Sequence, residues 1–213
     1  MSHSRYFAGR DEKNEEKLAH LLAALPPYCK DYFRGIRPAT TSMTRVAYAY
    51  DLSMFFTFLR NSPDASLRAI CEAERPECLS AITKQDVECY LEYLEGNDAS
   101  PDDGPRNRTQ GIRRRFSSLK SFLSYFCEAK AIPVNPTDAT RMPKLREKEI
   151  IRMDQDEMRE FLTELENGTG LCGKEIAYHG RFQVRDKAML SLMLGTGIRV
   201  SECVGVDLED IDL

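Results

Sequence analysis

The residues best placed to do chemistry lie in the stretch Leu194-Gly-Thr-Gly-Ile-Arg-Val-Ser-Glu-Cys-Val-Gly-Val-Asp-Leu-Glu-Asp-Ile-Asp212. Gly195 and Gly197 permit a sharp turn out of a preceding apolar helix, and the turn delivers Arg199 to the start of the next one. An arginine so close to a buried helix needs a partner. Two are open: the Glu202 carboxylate at i+3, or an anion brought by a ligand. The plainer alternative is an Arg199–Glu202 bridge that only locks the helix start.

A second concentration of charge lies upstream. Arg106, Arg108, Arg113, Arg114, Arg115 and Lys120 fall within fifteen residues that contain no acid. A weaker basic stretch, Lys144, Arg146, Lys148 and Arg152, is diluted by Glu147 and Glu149. A basic run is most simply a solvated helix face, and the alternative is a surface for a polyanion. Gly168-Thr-Gly-Leu-Cys-Gly173-Lys174 imitates the start of a phosphate-binding loop. Glu175, however, stands where magnesium ligation needs a hydroxyl, and the preceding segment reads as helix rather than strand, so no nucleotide is expected.

The elements that must position these residues are helices. Tyr48, Leu52, Phe55 and Leu59 form one stripe on a helix that ends at Asn61-Ser62-Pro63. Residues 61–80 read as a loop with one short helix. Thr83 caps the next helix, with Asp86 three residues on, and Val87, Tyr90, Leu91 and Leu94 are its buried face. Ile112, Phe116, Leu119, Leu123 and Phe126 then recur at spacings of four and three from about Asn107 to Ala129. Arg113, Arg114, Ser117, Lys120 and Ser121 fall off that stripe, so one face makes core and the other presents cations and hydroxyls. Asp154 and Glu157 open a helix with Met158, Phe161, Leu162 and Leu165 on one side, closed by Asn167-Gly168. Residues 168–180 read as a glycine-rich loop, and 182–194, apolar nearly all round, as a helix buried in the centre of its domain. A strand is expected to begin near Val206.

Composition bounds the rest. The 213 residues are 42% hydrophobic and 30% charged, an ordinary globular balance for one or two domains. Thirty Lys and Arg against 34 Asp and Glu give a formal charge of −4, which by itself speaks against a nucleic-acid binder; the local balance around Arg114 inverts it. Seven cysteines without a C-x-x-C pair and three histidines argue against both a disulfide framework and a zinc site. No apolar run suffices for a membrane span, and the mixed-sign opening does not read as a secretory signal. A reduced, cytoplasmic, metal-free protein is expected.

The segment Gly195-Thr-Gly-Ile-Arg199-Val-Ser-Glu202 through Asp212 closely resembles the first arginine box of the tyrosine recombinases, the phage integrase family of DNA breaking and rejoining enzymes. Arg114-Arg-Phe-Ser-Ser-Leu-Lys-Ser-Phe122, followed by Asn135-Pro136, resembles the last helix of that family's core-binding domain. Thr44-Arg-Val-Ala-Tyr48-x-x-Asp51-Leu-x-x-Phe55-x-x-Phe-Leu59 resembles its DNA-facing second helix.

The resemblance implies a mainly α fold: a helical, SAM-like core-binding domain, then the truncated start of a mixed α+β catalytic domain. The expected division is a flexible arm over 1–25, the core-binding domain over 26–132, a linker over 133–152 and the catalytic portion over 153–213. Arg199 would bind two phosphate oxygens and stabilise the transition state, with Glu202 orienting it. Thr44, Arg45, Arg113, Arg114, Arg115 and Lys120 would bind DNA, chiefly its phosphates. The expected partner is double-stranded DNA bearing an inverted-repeat recombination site, engaged by a tetramer, with no cofactor, nucleotide or membrane. The family's later lysine, H-x-x-R box and nucleophilic tyrosine have no counterpart here, since all nine tyrosines precede Arg199. The chain as given is therefore expected to be a fragment that binds DNA without cleaving it. Two further classes are open: a non-catalytic regulator using Gly195–Val206 as a helix-turn-helix, and a helical interaction scaffold favoured by the net acidity.

Overall fold

A computed structural model describes residues 5–97, 105–142, 144 and 152–210. Among them the regular elements are all helices. The chain divides into two compact units, residues 9–147 and residues 148–213 with residues 1–8.

The first unit is a helical domain around an aromatic core. Its elements are α1 (Arg5–Ala23) from Gly9 onward, α2 (Cys29–Ile36), α3 (Ser42–Arg60), α4 (Ala65–Ile70), α5 (Lys84–Asn97) and α6 (Pro105–Glu128), with 3-10 turns at Arg37–Ala39, Pro76–Ala81 and Pro136–Ala139. Helix α3 starts because Thr41 leaves the chain extended and its hydroxyl accepts the Thr44 N–H at 3.2 Å. Helix α5 starts in a reciprocal cap: Thr83 N–H donates to Asp86 at 2.8 Å and Asp86 N–H to the Thr83 hydroxyl at 3.3 Å. The apolar stripe of α6 is buried from Ile112 to Phe126. Phe122 meets Tyr32 edge-on at 5.2 Å and Phe56 at 6.1 Å, while Phe55 meets Tyr90 at 5.0 Å. Truncating such a ring to alanine costs about 3–5 kcal/mol, so these contacts fix the relation of α3 to α6.

Two expectations for this unit are corrected. Residues 1–25 were expected as a flexible arm, yet Arg5–Ala23 is helical and Leu18 and Leu25 are buried. Leu18, Leu21, Leu22 and Leu25 recur at helical spacing and pack on the core, and a polar seam adds to them: Asn14 donates to the Ser42 hydroxyl at 2.9 Å, and that hydroxyl donates to Asp11 at 2.5 Å. Residues 61–80 hold one short helix, α4, as expected of that loop, and a 3-10 turn besides. The expected linker begins too early at 133. Asn135 and Thr137 are buried, and Asn135 both caps the 3-10 turn through Thr137 N–H at 3.0 Å and donates to Ser124 of α6 at 2.9 Å.

The second unit contains α7 (Gln155–Asn167), α8 (Lys174–Thr196) and α9 (Val200–Val204). Asp154 and Glu157 form the expected capping box, and Gly168 closes α7 in the left-handed region at φ 63°. Residues 168–180 are corrected: Gly168, Gly170 and Gly173 take positive φ and make the turn, but α8 is under way from Lys174 with Gly180 inside it. Residues 182–194 are helical but not buried. Among the described residues α8 packs on α7 and α9, so only part of its circumference is covered and Val184 and Leu192 stay exposed. Near Val206 there is no strand among the described residues; Asp207 N–H donates to Asp210 at 3.0 Å and Leu208–Asp210 forms a 3-10 turn.

Candidate functional site

The cationic surface of the first unit is built from α3 and α6, which lie side by side. Asp51 of α3 meets Arg114 and Ser118 of α6, and further along Phe56 meets Phe122, so the two helices advance in the same chain direction. On α6, Arg114, Ser117 and Lys120 are exposed, and Arg113 and Arg115 are half-buried. Thr44 is half-buried in the first turn of α3, with its hydroxyl 2.9 Å from that of Thr41.

The six sites expected on this surface are not equivalent. Arg45 is enclosed, its side chain 7% exposed. One nitrogen donates to Glu15 at 2.5 Å, the other to the Thr40 carbonyl at 2.5 Å and to that of Arg37 at 3.4 Å. It ties α1 and the end of the Arg37–Ala39 turn to α3, which leaves little of the side chain for the phosphate contact expected of it. Lys120 pairs with Asp138 at 2.9 Å across open solvent, where the pair contributes little and exchanges readily. Arg114 is intermediate: half of its side chain is exposed while Nη1 donates at 2.6 Å to Asp51, a carboxylate only 2% exposed. The Ser118 hydroxyl donates to the same oxygen at 2.6 Å. Burial raises the Asp51 pKa, and the Ser118 bond and the charges of Arg114 and Arg115 oppose the rise. Glu15, Asp138 and Ser118 were not foreseen as partners, because the pairings join residues far apart in sequence or depend on packing.

In the second unit the turn out of α8 is made by Gly197, at φ 72°, whose N–H caps the Met193 carbonyl at 2.8 Å. Arg199 then stands extended at the N-cap of α9, just before its first turn. Glu202 reaches back with both oxygens: Oε2 accepts the Arg199 N–H at 2.7 Å and Oε1 accepts Nη1 at 3.1 Å. The backbone bond, with the guanidinium behind it, holds the Glu202 carboxyl below its ordinary pKa. Arg199 is 82% exposed, so the internal pair leaves most of its planar fork open. Both alternatives for its partner are thus compatible with one geometry: Glu202 aligns the arginine and an anion can still reach it.

Comparison with known proteins bears on residues 151–213, which match the phage integrase family. The chain is 30% identical over 197 residues to a tyrosine recombinase XerC of Caldanaerobacter subterraneus, covering 87% of this chain and 50% of that protein. It is 27% identical to a tyrosine recombinase XerS of Streptococcus agalactiae, over 93% of this chain and 61% of the relative. A XerC of Chlamydia caviae is 31% identical over 85% of this chain and 54% of its own length. The chain therefore spans about half the length of the curated relatives it matches. No solved structure matches it.

Proposed function

The chain belongs to the tyrosine recombinase family, and from that premise we propose that it is the DNA-engaging part of a site-specific recombinase. The observation that carries this reading is the family match over 151–213, which takes in an exposed Arg199 aligned by Glu202. In the whole protein the activity is transesterification at DNA phosphates. Arg199 supplies two N–H donors to non-bridging oxygens, where charge accumulates as a tyrosine attacks. Glu202 keeps the guanidinium oriented and is a positioning residue. What we assign to these 213 residues is the binding of duplex DNA and the presentation of Arg199 to a phosphate. The target is an inverted repeat, and the assembly on it is a tetramer.

The contacts of the first unit come from the exposed side of α6 and the start of α3. Arg114 and Lys120 reach phosphates, Arg113 and Arg115 add positive potential, and Thr44 donates a hydroxyl. With Arg45 enclosed, about four phosphates are neutralised, so log affinity against log salt falls with a slope of about −3 to −4. Fluorescence anisotropy of a labelled duplex across a salt series measures it. The scaffold reading has one observation in its favour, the carboxylate partners of Arg45, Arg114 and Lys120, and it predicts no DNA binding even at low salt.

A further inference from the structure

Resting on that reading, we propose that Asp51 is a positioning residue for DNA: its enclosed carboxylate holds one nitrogen of Arg114 so that the rest of the half-exposed guanidinium is presented, in a set orientation, to a backbone phosphate. Asp51 is an improbable acid to find beneath such a surface. A carboxylate there repels a phosphate, and enclosing it costs free energy that an apolar residue of similar size would not. Its two bonds, from Nη1 of Arg114 and Oγ of Ser118, both 2.6 Å long, converge on the one oxygen Oδ2. Arg114 and Ser118 are one turn apart on α6, while Asp51 comes from 63 residues away on α3.

The carboxylate thus clamps the guanidinium at the seam between two helices that the aromatic core already holds in register. A guanidinium has five N–H donors in one plane, so fixing one nitrogen orients the others and leaves them free to donate. A lysine has a single nitrogen and cannot be held by Asp51 and face outward as a fork. The geometry also separates the two roles an acid can have here. Acting only as a charge, Asp51 weakens DNA binding and its removal strengthens it. Acting through Arg114, it improves binding and its removal weakens it.

The test uses the 213-residue chain and a fluorescein-labelled mixed-sequence duplex, with anisotropy read across a salt series and folding checked by circular dichroism. Asp51→Asn is expected to weaken binding about threefold to tenfold although it deletes a negative charge. Arg114→Ala is expected to weaken it about tenfold and to reduce the salt slope by about 1. In the Arg114→Ala background Asp51→Asn should change nothing further, a non-additivity that a merely structural role would not produce. Arg114→Lys, which leaves the enclosed acid in place, should behave like Arg114→Ala. The proposal is overturned if folded Asp51→Asn binds as well as or better than the parent, or if the two losses multiply in the double variant. Should Asp51→Asn not fold, Arg114→Lys decides: parental affinity and slope overturn the proposal. Absence of binding by the parent chain at low salt would sink the functional reading along with it, whereas an additive cycle on a chain that binds sinks only the role of Asp51.

Discussion

Replacing Arg45 with alanine should unfold the first unit more easily and leave DNA binding as it was. The side chain donates to Glu15 and to two main-chain carbonyls, those of Thr40 and Arg37. A hydrogen bond involving a charged group is worth about 1.5–3 kcal/mol, but three of them do not add up to that sum here. The 3.4 Å bond to Arg37 is weak, Glu15 is partly solvated, and Nε of Arg45 is enclosed without a partner, which already costs stability in the parent. A net loss of about 2–3 kcal/mol remains, or a fall in Tm of about 6–12 °C for a unit of this size. Thermal melts by circular dichroism give the first quantity and salt-dependent anisotropy the second. If the variant melts like the parent and its salt slope falls by about 1, Arg45 is a phosphate contact and its enclosure is wrong.

Other perturbations test other parts of the structure. Because burial raises the Asp51 pKa, the stability this group contributes is fully present below the ordinary carboxylate value and is lost as pH rises through the raised one. The Tm of Asp51→Asn relative to the parent should accordingly improve from acid toward neutral pH, and a relative Tm that worsens over that range refutes the assignment. Glu202 has the opposite sign: its lowered pKa means that the cap on α9 is present above the ordinary carboxylate value and lost as pH falls through the lowered one. An NMR titration of its carboxyl carbon should place the midpoint below that of a free glutamate, and a midpoint at or above it contradicts the pairing. At Gly35 an added Cβ would lie 2.4 Å from the Tyr125 ring, so the ring must swing away from Tyr32 and Phe126, which it meets edge-on at 5.6 and 5.1 Å. Those contacts are worth about 0.5–1.5 kcal/mol each against about 1 kcal/mol of gained helix propensity, so Gly35→Ala should lower Tm by a few degrees; a rise would count against the packing.

What was legible in the sequence was what a single helix or a single turn determines. The stripes of α5 and α6, the caps Thr83–Asp86 and Asp154–Glu157, and the Gly197 turn are set by residues within four positions of one another. The Arg199–Glu202 pair belongs to this group, because i+3 spacing makes it without help from the rest of the fold. The hidden features were tertiary and polar. The first half of helix α1 is polar and is held by Asp11, Asn14 and Glu15, so it resembles a loose arm, although Leu18, Leu21 and Leu22 in its second half pack on the core at helical spacing. Arg45 and Arg114 look alike in sequence as cations on helices. They differ in burial, 7% against 49% exposed, and the acids that hold them come from 30 and 63 residues away.

Those acids also explain how a chain with a formal charge of −4 can present a cationic surface. What matters is how firmly each cation is already committed, and that depends on the burial of both partners. Arg45 is itself enclosed, so its charge is spent on joining α1 to α3. Lys120 and its partner Asp138 are both in solvent, 47% and 61% exposed, so a phosphate can displace the carboxylate at little cost. Arg114 combines an enclosed acid with an open guanidinium, so on the proposed reading a phosphate would add to the existing bond instead of replacing it. Of the three, that arrangement alone provides a charge whose position is fixed before the ligand arrives, and it keeps the ordering entropy of the arginine from being charged against binding.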